Sequence, residues 1–540
     1  MNPFDWASIA APPYGLEVIS NYLKHRFTDI ETKIVNPFID EGNSLGQLIR
    51  QYKPELIGLS MRNLDNMANI WSDKVIEHNG IKTGGFVGRI GNIVSKIKST
   101  TDVDIIIGGA GFSVAPELIL KRIGLDIGIV GPGEKTIGKI VGALKTGRLI
   151  REFIVNEHES LKGIVYLSEN KIIKELPEHC MEQDKLDNFE RVNQYSYKWT
   201  GSVPVRVSTG CTGKCSFCVE GTLFKNDERR NNDDIVEEIK LIKASDAAVW
   251  LTCSEFNYPY EDKVIELCER IKKAGIKRRF SSYFLPKPFS VGMYNALKSI
   301  GFIDHSICFG IIHVSDAILQ RNAASFCKND INKVIKIFKD VGAEGITVGC
   351  ILGLPGETKE TLDEMVLWMK EIDGIFGEGF RCSYNCGVRV YPNTPLAEKV
   401  VSGKVCSDYL YGNIEDAELL EPLVYSCPYS PKEINVYIKE KIKDCKGLIS
   451  SYNMGNEMMN DNCSVIIDWQ KAQYLQREDN VVEALKKLVQ AYGMSEIGRV
   501  KDKLMTEIIQ TLIVIKKQYY LDKNELLEIV KNTIFEKMVF

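Results

Sequence analysis

The chain has 540 residues, 44% hydrophobic and 26% charged, with 68 basic and 72 acidic side chains for a formal net charge of −4. That length exceeds one hydrophobic core and predicts two to four domains, and the near-balanced charge argues against a general nucleic-acid binder. No apolar run approaches the roughly 20 residues that span a bilayer, and the first residues, with Asp5, Pro12 and Pro13, lack the basic and apolar regions of a signal peptide. Fifteen cysteines in such a chain read as reduced thiols, metal ligands and small buried hydrophobes, so a reducing cytoplasm is expected.

In chain order, residues 1–150 read as a Rossmann-like α/β domain. An amphipathic helix is expected over 14–27, after the Pro-Pro turn. Short apolar runs at 33–35, 56–60, 103–108 and 127–130 end near Gly, Pro, Asn or Ser, and they predict a parallel sheet with helices on its faces. Ligands in that architecture sit beyond the carboxyl ends of the strands. The loops there are 60–65, 108–113 and 131–134. Residues 151–200 read as a connecting segment with a short hairpin (163–167 and 171–174).

From Val203 a second series begins, with strands expected at 203–208, 247–252, 279–283, 306–310, 345–351 and 380–390. Helical stretches between them make residues 201–400 a partial β6/α6 TIM-like barrel, with its chemistry at the carboxyl ends of the strands. After about Ala397 the strand signal fades. Helical periodicity at 431–445, 463–475, 480–492, 494–519 and 524–537 makes 401–540 a helical C-terminal region.

Cys211, Cys215 and Cys218 place three thiols within eight residues, after the first strand of the second series. Thiolates are soft ligands suited to iron–sulfur clusters. A loop this compact wraps one side of a cubane and leaves one iron without a protein ligand, whereas a structural zinc site needs a fourth ligand nearby. The glycine loops say less. Residues 131–136 lack P-loop spacing, and Gly109-Ala110-Gly111 lacks the third glycine of a dinucleotide fingerprint, so tight turn and ligand cradle stay open for both.

The Cys-x-x-x-Cys-x-x-Cys loop resembles the signature of the radical S-adenosylmethionine (SAM) superfamily. Three further stretches are similar to cobalamin-dependent members: Thr252 to Asn257 at the second strand end, Gly353-Leu354-Pro355-Gly356-Glu357-Thr358 after the fifth, and Arg389 to Leu396 after the sixth. Upstream, Pro12 to Gly15, Gly108-Gly109 and Gly131-Pro132-Gly133-Glu134 resemble their cobalamin-binding domain. The resemblance spans roughly residues 10 to 400 and implies a 4Fe–4S cluster on the three cysteines, SAM and cobalamin as cofactors, and an electron donor such as flavodoxin or ferredoxin.

It also implies methyl transfer from SAM via cobalamin to a carbon of a small-molecule or peptide acceptor. A rearrangement, ring contraction or cyclisation on the same cofactors is the alternative, and a non-catalytic cobalamin and iron–sulfur sensor or carrier is the alternative of another class. There is no Asp-x-His-x-x-Gly motif, so no histidine is expected on cobalt. Arg62-Asn63 instead resembles the tryptophan C2-methyltransferase branch, in which an arginine lies under the cobalt without ligating it. On this resemblance Arg62, Asn63, Gly108, Gly109, Gly111, Phe112, Ser113, Gly131, Gly133 and Glu134 are expected to line the cobalamin site.

Phe217 is expected over the cluster, Ser281 and Tyr283 near the ribose or substrate, Pro355 in the SAM-side turn, and Arg321 at the SAM carboxylate. Glu255 is expected to take the amino group of SAM or to approach the unique iron. For each the bland reading is a packing residue or a surface ion pair. His313 is a minor candidate, Trp469 is a candidate stacking residue in the helical region, and Cys382 with Cys386 share one strand face.

Overall fold

The structure, a computed structural model, describes residues 13–35, 45–65, 86–168, 172–177, 202–224, 228–242 and 248–451, with eight isolated positions between 485 and 512. The helices expected at 463–475 and 524–537, most of those at 480–492 and 494–519, and Trp469 lie outside the described residues.

The first sheet has five strands: β1 (Ile57–Ser60), β2 (Ile105–Gly108), β3 (Ile127–Ile129), β4 (Ile164–Leu167) and β5 (Ile172–Lys174). β1, β2 and β3 are parallel neighbours, and β4 and β5 continue the sheet antiparallel. The hairpin expected inside the connecting segment therefore belongs to this sheet: Ile164, Val165, Tyr166 and Ile173 are buried, and those apolar side chains would otherwise face water. Residues 33–35 form no strand. The helix Tyr14–Arg26 ends one residue before its expected limit.

Along the second region run β6 (Ser202–Arg206), the short antiparallel pair β7 (Ser208–Thr209) and β8 (Glu228–Arg229), then β9 (Ala248–Thr252), β10 (Phe280–Phe284), β11 (Phe302–Ile312), β12 (Ile346–Leu352) and β13 (Phe380–Cys386). β14 (Val388–Arg389), β15 (Leu410–Gly412) and β16 (Leu423–Tyr425) form a small antiparallel sheet, and β17 (Leu448–Ser451) follows. The large sheet runs β17-β13-β12-β11-β10-β9-β6, and every pair in it is parallel. All six expected barrel strands are present, and β17 adds a seventh. Residues 401–451 are thus not wholly helical, although the helix Pro431–Ile442 forms within the expected 431–445.

Side-chain alternation gives this sheet two faces. Val249, Leu251, Phe280, Phe284, Ile307, Phe309, Val348, Leu352 and Phe380 pack under the surrounding helices in one large core. Cys350, Cys382 and Cys386 lie in that same core, with 3.9 Å between the sulfurs of Cys350 and Cys382, so these strand cysteines serve as small hydrophobes. The alternate residues, among them Trp250, Ser281, Tyr283, Cys308, Thr347, Ser383 and Asn385, occupy the opposite, less buried face.

The two sheets meet at the carboxyl ends of their strands. Asp65, after β1, pairs with Arg389, in β14 beyond β13: Nε to Oδ2 is 2.6 Å, with the side chains 0% and 1% exposed. The remaining guanidinium donors reach the Leu419 carbonyl at 2.8 Å and the Val390 carbonyl, and the guanidinium lies 5.1 Å over the Tyr391 ring. Asn393 donates to the Val114 carbonyl at 2.8 Å. Val219, Leu223, Tyr391 and Leu420 of the second region pack into the first sheet's core. On the other side of the contact Arg206, ending β6, pairs with Glu134 at 3.3 Å, and the Tyr14 hydroxyl donates to Glu238 at 3.2 Å. Among the described residues no helix is long and apolar enough to cross a membrane.

A fully buried ion pair broken on one side leaves an uncompensated charge. Arg389→Met is therefore expected to lower unfolding free energy by about 3–5 kcal/mol. The double variant Asp65→Asn with Arg389→Met should recover most of that loss, as read by denaturant unfolding of the full chain.

Candidate functional site

The thiol loop leaves the barrel after β7 and closes on itself. The Cys211 amide donates to the Phe224 carbonyl at 3.0 Å, and the Cys218 amide donates to the Cys215 carbonyl at 3.0 Å. A Cβ on Gly221 would lie 2.1 Å from the Gly213 carbonyl oxygen, so only glycine lets the following short helix, Glu220–Leu223, fold against the loop. Outside the loop, Ser216 donates through its hydroxyl to Asn322 Oδ1 and through its amide to the Asn322 carbonyl, both at 3.0 Å. Asn322 in turn donates to the Pro355 carbonyl at 3.2 Å, and the Leu396 amide donates to the Ser216 carbonyl at 2.9 Å. The loop is thereby tied to the strand ends of β11, β12 and β13.

The turn at Pro355 is built by Glu357, whose carboxylate accepts from the amides of Gly353 and Leu354 and meets His313 Nε2 at 2.8 Å. Both side chains are fully buried. His313 is therefore a brace of this turn rather than a ligand. Gly356, at φ +93°, leaves room for Arg321, whose exposed side chain lies against it.

The three thiols stand close together, each partly buried. Burial, reinforced by the neighbouring thiols, pushes Cys215 up to about 12, and burial pushes Cys218 up to about 11 despite the amides of Glu220 and Gly221 directed at its sulfur. Two carboxylates border them. Glu255, on the loop after β9, acts on Cys215 and Cys308; burial raises its pKa to about 8, and its Oε2 is buried with no hydrogen-bond partner. Glu220 acts on Cys218, and burial raises it above the usual carboxylate range.

The orphaned buried oxygen of Glu255 is costly as it stands, and coordination to a metal beside the thiols would remove that cost. Among the described residues no three such side chains are arranged to hold one metal ion. Cubane ligands bind three different irons, so they need not converge on a point. The donor set fits an iron–sulfur cluster, which Cys211, Cys215 and Cys218 would hold, with Glu255 bordering them. Phe217, partly buried, packs against the core under β14 and β16.

At the first sheet, a Cβ on Gly109 (φ +101°) would lie 2.5 Å from the Met61 carbonyl oxygen, and one on Gly111 would lie 2.6 Å from the Asn63 backbone. These two glycines join the loops after β1 and β2 into one unit, with the Gly111 amide donating to the Met61 carbonyl at 2.9 Å. Arg62 and Asn63 are exposed on it. Ser113 is buried, and its hydroxyl donates to the Gly109 carbonyl at 3.0 Å and accepts the Gly131 amide at 3.1 Å, which links the third loop. A Cβ on Gly108 would lie 3.3 Å from the Ile129 carbonyl oxygen, and one on Gly133 would lie 3.3 Å from the Ile129 side chain.

Gly131, at φ +74°, faces Phe224 of the thiol-loop segment, so the third loop of the first sheet packs against that segment. Phe112 departs from expectation: the helical turn Ala110–Val114 rotates it inward, where it is fully buried against Gly128. Glu134 faces Arg206 rather than standing free. Among the described residues no histidine stands at a strand end of this sheet: His25 lies in the first helix, and His158 bonds Glu175. Close-packed glycine loops of this kind fit a cobalamin, which Gly109, Gly111 and the backbone around them would hold.

Ser281 and Tyr283 lie on the less buried barrel face, with Trp250 edge-on to Tyr283 at 6.2 Å. Sequence reasoning misses Asp65, Arg389, Asn322, Tyr14 and Glu220. Only Glu220, two positions after the last cysteine, carries a local signal.

A B12-binding domain model matches residues 10–141, and a radical SAM superfamily model matches residues 205–369. The chain is a cobalamin-dependent radical SAM enzyme. It is 23% identical over 463 residues to the tryptophan 2-C-methyltransferase of Streptomyces laurentii, covering 72% of each chain. It is 22% identical over 431 residues to the tRNA-2-methylthio-N(6)-dimethylallyladenosine synthase of Clostridium tetani, covering 74% of this chain and 91% of that one. Among solved structures, the radical SAM methyltransferase TsrM of Kitasatospora setae, with cobalamin and a [4Fe-4S] cluster bound, superposes at a TM-score of 0.68 and 19% identity, over 87% of this chain and 96% of that one. The cobalamin-dependent radical enzyme OxsB superposes at 0.58 and 14% identity, over 97% of this chain and 77% of that one. These likenesses establish the common fold.

Two outcomes are expected. In the triple variant Cys211→Ala, Cys215→Ala, Cys218→Ala, bound iron and its thiolate charge-transfer absorption should fall to background after anaerobic reconstitution. The second concerns the metal-free chain. With Glu255 raised to about 8, the folded chain holds a proton that the unfolded chain releases near the ordinary Glu value. Stability should then fall as pH rises from about 4.5 to 8. Glu255→Gln should remove that part of the slope in urea titrations.

Proposed function

We propose that the enzyme transfers a methyl group from SAM to a carbon of a small-molecule or peptide acceptor, with an indole of the tryptophan type as first candidate. The observation that carries this is the contact between the strand-end loops of the two sheets. The loops after β1, β2 and β3 face the thiol loop across the Asp65–Arg389 pair, so a methyl carrier and a SAM site would open toward one acceptor. The similarity to a tryptophan 2-C-methyltransferase along 72% of both chains supports it, as does the likeness to a TsrM structure with tryptophan substrate and a SAM analog bound. The aromatic pair Trp250 and Tyr283 on the less buried barrel face suits a flat aromatic acceptor.

When bound, cobalamin supplies a carrier for the methyl group and the cluster supplies a redox-active metal. The chain's own residues bind, orient and exclude water. Cys211, Cys215 and Cys218 would hold the cluster, and Glu255, bordering them, would offer it a further oxygen donor. Arg62, exposed on the glycine-fixed loop, presents a planar guanidinium that stays charged at any accessible pH. It would line the cobalamin site as a cation that is no metal ligand. A flavodoxin or ferredoxin in a reducing cytoplasm is the proposed electron source.

The test is anaerobic turnover of the reconstituted enzyme with SAM labelled in its methyl group and tryptophan or an indole as acceptor. Labelled, methylated product with matching S-adenosylhomocysteine is expected. Unlabelled rearranged product, or no SAM consumption, would refute the reading. Arg62→Ala should keep iron and cobalamin content and slow methyl transfer at least about tenfold, the size of a lost interaction with a charged group, and Arg62→Lys should restore only part, because an ammonium is more strongly hydrated.

A further inference from the structure

On the less buried barrel face the strand register aligns one row of side chains. Tyr283 of β10 stands beside Cys308 of β11, Cys308 beside Thr347 of β12, and Thr347 beside Arg381 of β13. The row is uneven. One end carries the Tyr283 ring, 50% exposed, the other end an exposed guanidinium, and the middle two small, partly buried side chains. Neighbouring strands lie about 4.8 Å apart, so the two ends are about 14 Å apart along the sheet before their long side chains reach inward. The next row toward the carboxyl ends holds Gly310, Gly349 and Ser383. A Cβ built on Gly310 would meet nothing within 4 Å, so the face stays open above Cys308 and Thr347.

The row also has a direction. Tyr283 is the next-to-last residue of β10, whereas Arg381 is the second residue of β13. The ring end therefore lies toward the carboxyl ends of the strands, where the thiol loop is, and the guanidinium end lies deeper. Among the described residues no carboxylate pairs with Arg381. Its charge acts on His305, whose Nδ1 is 3.4 Å from the Thr347 hydroxyl. Asp304, which also acts on His305, is held by Lys298 and by the Tyr294 hydroxyl, both at 2.8 Å. Beyond Arg381 the row meets only Leu448 of β17, which offers no polar group.

A guanidinium presents a planar fork that matches a carboxylate, and a phenol ring offers a face or an edge to another ring. We propose that Arg381 receives a carboxylate of the acceptor while Tyr283 packs against its ring. The acceptor is then a free aromatic acid of amino-acid size, and not a residue inside a peptide. This rests on the indole reading of the proposed function and narrows it. The plain alternative is that Arg381 is a solvated residue at the amino end of β13.

The experiment uses anaerobic enzyme loaded with cluster and cobalamin, and it compares L-tryptophan with L-tryptophanamide, whose carboxylate is replaced by a neutral amide. Affinities are read by calorimetry, with S-adenosylhomocysteine as control. The parent should bind tryptophan at least about tenfold more tightly than the amide, the size of a hydrogen bond to a charged group. Arg381→Gln should erase that preference by weakening tryptophan alone. Arg381→Lys should restore only part of it, because an ammonium lacks the planar fork. Tyr283→Leu should weaken both indoles alike.

If Arg381→Gln keeps the parent's preference, or the parent binds both indoles equally, Arg381 is a solvated residue and the proposal falls. It falls too if Tyr283→Leu binds both like the parent. Should Arg381→Gln also lose S-adenosylhomocysteine, the Arg381→Lys result decides: a selective loss of tryptophan supports the assignment, and no selective change overturns it. A parent that binds S-adenosylhomocysteine but neither indole defeats the indole reading itself, and this assignment with it. A parent that prefers tryptophan while Arg381→Gln does not differ defeats only the assignment of Arg381.

Discussion

The buried pair between Asp65 and Arg389 is the contact on which the arrangement of the two sheets depends. Each residue stands just past a strand end, one after β1 and one beyond β13, and each is almost wholly removed from water. Such a pair is satisfied only in one geometry, because both charges have given up hydration. Arg389 is further fixed by carbonyls of the 419–423 segment and by the Tyr391 ring. The strand ends of one sheet are thereby held over those of the other. A parallel sheet places its ligand crevice at the carboxyl ends; here the carboxyl ends of two such sheets are turned toward each other.

The thiol loop depends on the same scaffold. Its Ser216 is held by Asn322, which is held by the Pro355 turn, which is held by Glu357 and His313. Leu396, seven residues beyond Arg389, donates to the same Ser216. The segment 389–396 thus touches the first sheet at one end and the thiol loop at the other. This explains why a stretch with no chemistry of its own is so rich in Pro, Asn and Thr. Asn393 takes positive φ, and Thr394 caps the helix Pro395–Val401.

What the sequence makes legible is what is local. Three cysteines in eight residues state their chemistry by spacing alone, and the apolar runs of β2, β3 and β9 to β13 announce a parallel sheet with small errors at the ends. What it hides is set by contacts far apart in the chain. Asp65 and Arg389 are 324 positions apart, and nothing local marks them as partners. β17 is only Leu-Ile-Ser-Ser, four residues that become a strand because the edge of β13 is there to pair with. Phe112 sits among loop glycines in sequence, yet one helical turn swings it into the core. The hairpin of β4 and β5 looks like a connector because its apolar faces find their partner, β3, more than thirty residues upstream.

The close approach of Gly109 to Met61 and of Gly111 to Asn63 has a consequence for how this family of sites can change over time. Two backbones in van der Waals contact leave no space for even one extra carbon, so the platform that carries Arg62 is not tunable from below. A drifting lineage that altered either glycine would shift the arginine and the loop together, and selection would see both effects at once. Diversity on this platform is therefore channelled into the exposed side chains at 62 and 63, where replacement costs the fold little.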